Sequence, residues 1–134
     1  LARHALCDLL ARLRGDAMNN VENILSGYLD AIEFTDCGPD DDERQNADWS
    51  KDGLTEARLH VEQFLDVTPS KLLHDIPPAQ IGHDLWLTRN GHGAGFWDRG
   101  LGAQGDSLTA ICEALGGVDS YVGDDGFLYL QGGL

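Results

Sequence analysis

The chain has 134 residues, 42% of them hydrophobic, and a net charge of −14 from 23 acidic and 9 basic residues. Such a charge argues against direct binding to nucleic acid or to an anionic membrane, because both repel a negative field. No apolar run approaches the roughly 20 residues of a bilayer span. The length predicts a single domain over residues 1–134, and three widely spaced cysteines without a CxxC pair favour a reduced, cytoplasmic setting.

The first half of the chain, residues 1–76, is predicted to be mainly helical. A first helix over 4–14 carries one apolar stripe, and a stronger amphipathic helix is predicted over 17–35. A third helix is predicted over 54–66, and a short one over 68–74, where Thr68 and Pro69 supply a cap and a first-turn proline.

The second and third helices are joined by a long acidic loop, residues 36–53. Nine acidic side chains stand against two basic ones between Tyr28 and Asp52, a balance of −7 that is half of the whole charge. A loop of this length in a small domain is usually functional or mobile. The alternative, a solvated loop without a function, remains open. The residues that we expect to bind a partner there are Asp40, Asp41, Asp42, Glu43 and Asp48 for the charge, and Trp49 as an aromatic anchor.

The second half, residues 77–134, is predicted to form a hairpin, a helix and a second hairpin. One helical turn is predicted over 79–82, with Gly82 as its end. Alternating polarity then predicts a strand over 83–90, a turn at Asn90-Gly91 and a return strand over 96–98. A helix follows Gly105-Asp106, and the last hairpin pairs 120–123 with 127–130. The predicted fold class is therefore α+β, with N-terminal helices packed on a small antiparallel sheet made of two C-terminal hairpins with a helix between them.

The segment 83–100, HDLWLTRNGHGAGFWDRG, concentrates side chains capable of chemistry. As an active site it would use His92 as the general base, Arg89 and Asn90 to stabilise charge, and Asp98 beside them. Its histidine and aspartate spacing fits neither the helical HExxH pattern nor a CxxC ribbon, so we predict no metal and no cofactor. Adjacent residues of a strand point to opposite faces, so Phe96 and Trp97 cannot both be in the core, and we expect Trp97 to contact a partner.

The same segment, followed by YVGDDG at 121–126, resembles a group of small proteins encoded by bacteriophages and prophages. The resemblance is close over residues 77–130 and loose over 17–76. It implies a phage or mobile-element accessory protein that acts in the cytoplasm of the bacterial host, and it carries over no catalytic residue. Small acidic accessory proteins of phages often resemble inhibitors of host defences such as CRISPR or restriction systems, which is an argument by association.

Three functions follow from these observations. The sequence favours a binding protein that inhibits a host nucleic-acid-targeting defence by presenting an acidic surface to a basic groove of a partner protein. The first alternative is a small hydrolytic or ligand-binding protein with its site on an Asp84–Asp98 hairpin. The second is a structural protein that oligomerises through an exposed aromatic residue. Whether the chain is an enzyme stays open, and the sequence favours a binding protein.

Overall fold

The computed structural model describes residues 20–36, 47–92 and 94–132. They form four α-helices and one two-stranded antiparallel sheet, and the prediction of a mixed fold with a C-terminal antiparallel sheet is confirmed. None of the helices in these ranges could span a bilayer. In chain order the elements are α1 (Asn20–Asp36), α2 (Lys51–Val67), α3 (Pro78–Arg89), α4 (Ala103–Leu115), β1 (Val118–Val122) and β2 (Leu128–Gly132), with 3₁₀ turns at Ser70–Leu72 and Phe96–Asp98.

Helices α1 and α3 form the most extensive contact between elements in the described part of the chain. Two glycines allow their backbones to touch. A Cβ atom on Gly82 would lie 1.8 Å from the carbonyl oxygen of Ile24, and one on Gly27 would lie 1.9 Å from that of Ala79. The apolar stripe predicted for α1 is buried at this contact and against α2.

The predicted strand over 83–90 is wrong, because these residues belong to α3 and the turn that ends it. Pro78 begins the helix at a first-turn position, and Gly82 continues it, whereas the sequence suggested a stop. Nearly every residue from Ile81 to Arg89 is buried. A helix buried on most sides has no one-sided stripe, so a short alternation resembled a strand.

The segment after α3 turns as predicted at Asn90-Gly91, where Gly91 has a φ of 69°. The return strand predicted over 96–98 is wrong, because Phe96–Asp98 is a 3₁₀ turn. Phe96 is fully buried there and stacks on Phe64 with ring centroids 6.0 Å apart. The first of the two predicted hairpins is therefore replaced by a helix and a turn.

The C-terminal hairpin is confirmed, with Tyr121 opposite Tyr129 and a tight turn closed by a 2.9 Å hydrogen bond from the Gly126 N–H to the Gly123 carbonyl. Helix α4 precedes it and begins at Ala103, earlier than the sequence suggested. The buried apolar side chains of the helices and of both strands form one core cluster. The predicted helix over 4–14 and most of the predicted acidic loop lie outside the described residues.

Candidate functional site

Several polar side chains of the segment 83–100 make hydrogen bonds that connect elements of the fold. Asp84 is fully buried, and its carboxylate accepts hydrogen bonds from Arg99 Nε at 3.2 Å and Nη2 at 2.7 Å. Asn90 donates to the Trp86 carbonyl at 3.1 Å and accepts the Val118 N–H at 2.8 Å. These bonds tie the turn after α3 and the start of β1 to the same helix.

Arg89 is only 5% exposed, and among the described residues no carboxylate pairs with it. Its Nε donates to the Gly116 carbonyl at 2.8 Å and its Nη2 to the Leu115 carbonyl at 3.2 Å. These are carbonyls at the C-terminal end of α4, which carries the negative end of the helix dipole. The buried guanidinium is thus balanced by a helix end.

A chain of polar groups runs from Arg89 to the surface. Arg89 Nη1 donates to the Tyr28 hydroxyl at 3.1 Å, and this hydroxyl shares a hydrogen bond with His60 Nδ1, also at 3.1 Å. His60 Nε2 then faces Glu56 Oε2 at 3.7 Å. Burial raises the pKa of Tyr28 to about 12, and burial, followed by the charge of Arg89, lowers the pKa of His60 to about 4.

The residues of the alternative active site are separately engaged. Arg89 and Asn90 make the structural bonds just described, His92 is half-buried and Asp98 is exposed. No hydrogen bond or ion pair joins any two of these four side chains, all of which belong to the described ranges. The hairpin on which this site was predicted is itself absent, since Asp84 lies inside α3. Within residues 20–36, 47–92 and 94–132, no three His, Cys, Asp or Glu side chains are grouped to hold a metal ion.

The predicted partner-binding residues fall into three groups: some lie outside the described residues, some are exposed and one is buried. Asp40, Asp41, Asp42 and Glu43 lie outside the described residues. Asp48 is exposed and Trp97 is 51% exposed. Trp49 is only 7% exposed, and its role as an aromatic anchor for a partner stays a prediction. Its backbone forms a parallel β-bridge with Leu128, which places the side chain at the core.

Residues 48–50, near the end of the predicted acidic loop, are hydrogen-bonded to β2 in an arrangement that we call the clasp. The Leu128 N–H donates to the Asp48 carbonyl at 2.8 Å, and the Ser50 N–H donates to the Leu128 carbonyl at 2.9 Å. The Ser50 hydroxyl donates to the same carbonyl at 2.7 Å and accepts the Gly53 N–H at 2.8 Å, so it also caps α2. The clasp connects the N-terminus of α2 to the C-terminal hairpin.

Four exposed aspartates flank the clasp and the hairpin turn, and we call them the acidic edge: Asp48, Asp52, Asp124 and Asp125. Asp125 accepts the Phe127 N–H at 3.0 Å through Oδ1 and the Tyr129 hydroxyl through Oδ2. Both hydrogen bonds lower the pKa of Asp125, and the bond from the Tyr129 hydroxyl has the larger effect. The pKa of Tyr129 is raised to about 12, first by the same hydrogen bond and then by burial and by the negative charges of Asp125 and Asp52. The sequence did not single out the hairpin acids, although the Asp-Asp-Gly turn placed them at a tip.

No protein-family model matches the chain, and no curated protein or solved structure is significantly similar to it.

Proposed function

We propose that the chain is a binding protein that presents an acidic surface to a basic, nucleic-acid-binding groove of a partner protein. The observation that carries the proposal is the acidic edge, where the clasp joins the segment of Asp48 and Asp52 to the hairpin of Asp124 and Asp125. Asp52 and Asp125 line one cavity there. The net charge of −14 adds a long-range attraction to any basic partner, which speeds association and makes it sensitive to salt.

The clasp supports this proposal because it fixes the backbone that carries the acids. Binding loses free energy whenever it must order mobile groups. Asp48 precedes a backbone bridge to β2, and Asp125 is held by two hydrogen bonds. Binding a partner therefore costs less conformational entropy for these carboxylates than it would for carboxylates on a free loop.

The resemblance of the segment 83–100 to small phage and prophage proteins suggests where such a partner would be found. Under this proposal the chain acts in the cytoplasm of a bacterial host, on a CRISPR or restriction enzyme, and needs no cofactor. The inhibitor would occupy the groove in which the enzyme holds nucleic acid, without binding nucleic acid or a membrane itself.

The first test is an affinity pull-down from a bacterial host lysate at low salt, with elution by rising salt and identification by mass spectrometry. The affinity of the recovered nucleic-acid enzyme is then measured for Asp48→Asn/Asp124→Asn and for the control Asp66→Asn/Glu113→Gln. Both pairs are exposed and change the net charge equally. We expect the first pair to weaken binding and the control to have a much smaller effect. Equal affinity of the first pair and the wild type would reject the acidic edge.

A second candidate function, self-association, is favoured by Trp97. This ring is half exposed on a turn that Phe96 anchors in the core, so a large apolar surface is presented at a fixed position. It predicts a stable oligomer that Trp97→Ala dissociates, as measured by sedimentation velocity. A monomeric wild-type protein at micromolar concentration would reject this candidate.

A further inference from the structure

A shallow cavity of about 280 Å³ opens between the N-terminus of α2 and the C-terminal hairpin. It is distinctive because it combines aromatic rings with carboxylates of the acidic edge. The residues that line it are Trp49, Ser50, Lys51, Asp52, Asp125, Phe127 and Tyr129.

We propose that this cavity is a binding site for one arginine side chain of the basic partner. The inference rests on the proposed function and deepens it, because it names the group that the acidic surface recognises. The guanidinium would lie against the rings of Phe127 and Tyr129 and donate charge-assisted hydrogen bonds to the carboxylates of Asp52 and Asp125.

The aromatic wall is a fixed platform. The ring of Tyr129 stacks on that of Tyr121 with centroids 5.5 Å apart and an interplanar angle of 16°. Gly123 leaves it room, since a Cβ there would lie 2.5 Å from a ring carbon of Tyr129. Phe127, beside it, remains 44% exposed although it is a large apolar side chain. Exposed ring faces attract cations through their quadrupole, and arginine more often than lysine makes such contacts.

The carboxylate of Asp125 can accept further hydrogen bonds. Each oxygen of Asp125 accepts one hydrogen bond, whereas a carboxylate offers about four acceptor positions. The charges of Asp52 and Asp125 both reach the Tyr129 hydroxyl, where they help to raise its pKa to about 12. The potential in the cavity is therefore negative, as a cation requires.

Lys51 is the one basic side chain among the lining residues, and it leaves the cavity with a balance of one negative charge. It is exposed, so its ammonium can move away into water when another cation enters. A guanidinium has an advantage over this competing ammonium because it is planar, less strongly hydrated and able to bind a carboxylate with two parallel bonds.

The test uses the full chain and small ligands, so that it does not depend on the partner. N-acetyl-arginine methylamide is titrated at low salt into ¹⁵N-labelled protein, with the lysine and citrulline analogues in parallel. We expect saturable shifts of the Gly126 and Phe127 amide signals with arginine, weaker binding of lysine, and no saturation with citrulline, which keeps the shape and lacks the charge. Asp52→Asn should weaken the arginine complex about tenfold, the effect of losing one charge-assisted bond.

The control is Asp66→Asn, which removes one negative charge from the other end of α2. Because Asp125 also shapes the turn, the neutralisation is made at Asp52, and Tyr129→Leu tests the ring separately. Equal weakening by Asp66→Asn and Asp52→Asn, saturation by citrulline, or full affinity in Tyr129→Leu would each overturn the arginine site. Failure of this titration leaves the Asp48/Asp124 experiment with the whole partner untouched, so the two proposals can fail separately.

Discussion

The buried His60 makes the stability of this fold depend on pH. Its ring is only 3% exposed, with Nδ1 3.1 Å from the Tyr28 hydroxyl and Nε2 3.7 Å from Glu56. Burial and the charge of Arg89, which faces it through Tyr28, lower its pKa from 6.5 to about 4. Folding therefore requires the neutral imidazole at a pH where the unfolded chain would bind a proton.

The sign and size of the effect follow from the two pKa values. Because the folded value is the lower one, the contribution of His60 is fully present above pH 6.5 and is lost as the pH falls from 6.5 toward 4. Between pH 7.5 and pH 4.5, the linkage relation gives a loss of about 2–3 kcal/mol in the free energy of unfolding. Attraction of the imidazolium to Glu56 would reduce this value, which is already a large share of the 5–15 kcal/mol that is usual for a domain.

The assay is urea unfolding at both pH values for the wild type and for His60→Gln. Glutamine can accept the Tyr28 hydrogen bond but does not titrate, so the other acids cancel in the comparison. We expect the wild type to lose about 2–3 kcal/mol more than the variant as the pH falls. A difference below about 1 kcal/mol would mean that His60 keeps an ordinary pKa, and would refute the reasoning.

Three further substitutions test the packing that positions the acidic edge and α3. Arg99→Gln leaves the fully buried Asp84 without its partner and should lower the free energy of unfolding by about 3–5 kcal/mol in urea, with part of the loss restored by adding Asp84→Asn. Gly82→Ala places a methyl group 1.8 Å from the Ile24 carbonyl, so we expect a lower melting temperature, and an unchanged one would contradict the close contact. Ser50→Ala removes the cap of α2 and should cost about 1–2 kcal/mol; circular dichroism melting would show no change if the cap were idle.

The sequence predicts the elements whose one-sided pattern survives in the fold. Helices α1 and α2 each bury one stripe, and the last hairpin has an Asp-Gly turn between short apolar runs, so their periods are visible. Helix α3 is not visible in this way, because it packs against several elements and buries both apolar and polar residues around its circumference. Gly82 was interpreted as a stop signal, whereas it serves a helix–helix contact that no local rule contains.

In the candidate site, too, some features have a local signal in the sequence and others depend on tertiary contacts. Net charge and its concentration before α2 could be seen in the sequence, and Asp48 is exposed as expected. The pairing of Trp49 with Leu128 joins residues 79 positions apart, so neither the burial of that ring nor the approach of Asp125 to Asp52 has a local signal. Only the tertiary contact reveals that the acids of the hairpin and of α2 share a surface.

The segment 83–100 has the most unusual sequence in the chain, but most of its polar side chains are not free to bind a ligand or a partner. Five of its residues use their polar side-chain groups in hydrogen bonds to other parts of the described chain: Asp84, Trp86, Thr88, Arg89 and Asn90. Buried polar groups must be satisfied, so a helix that buries many of them constrains the residue type at each position. The long motif therefore follows from internal bonding, and a search for function should begin with the exposed groups that this helix supports.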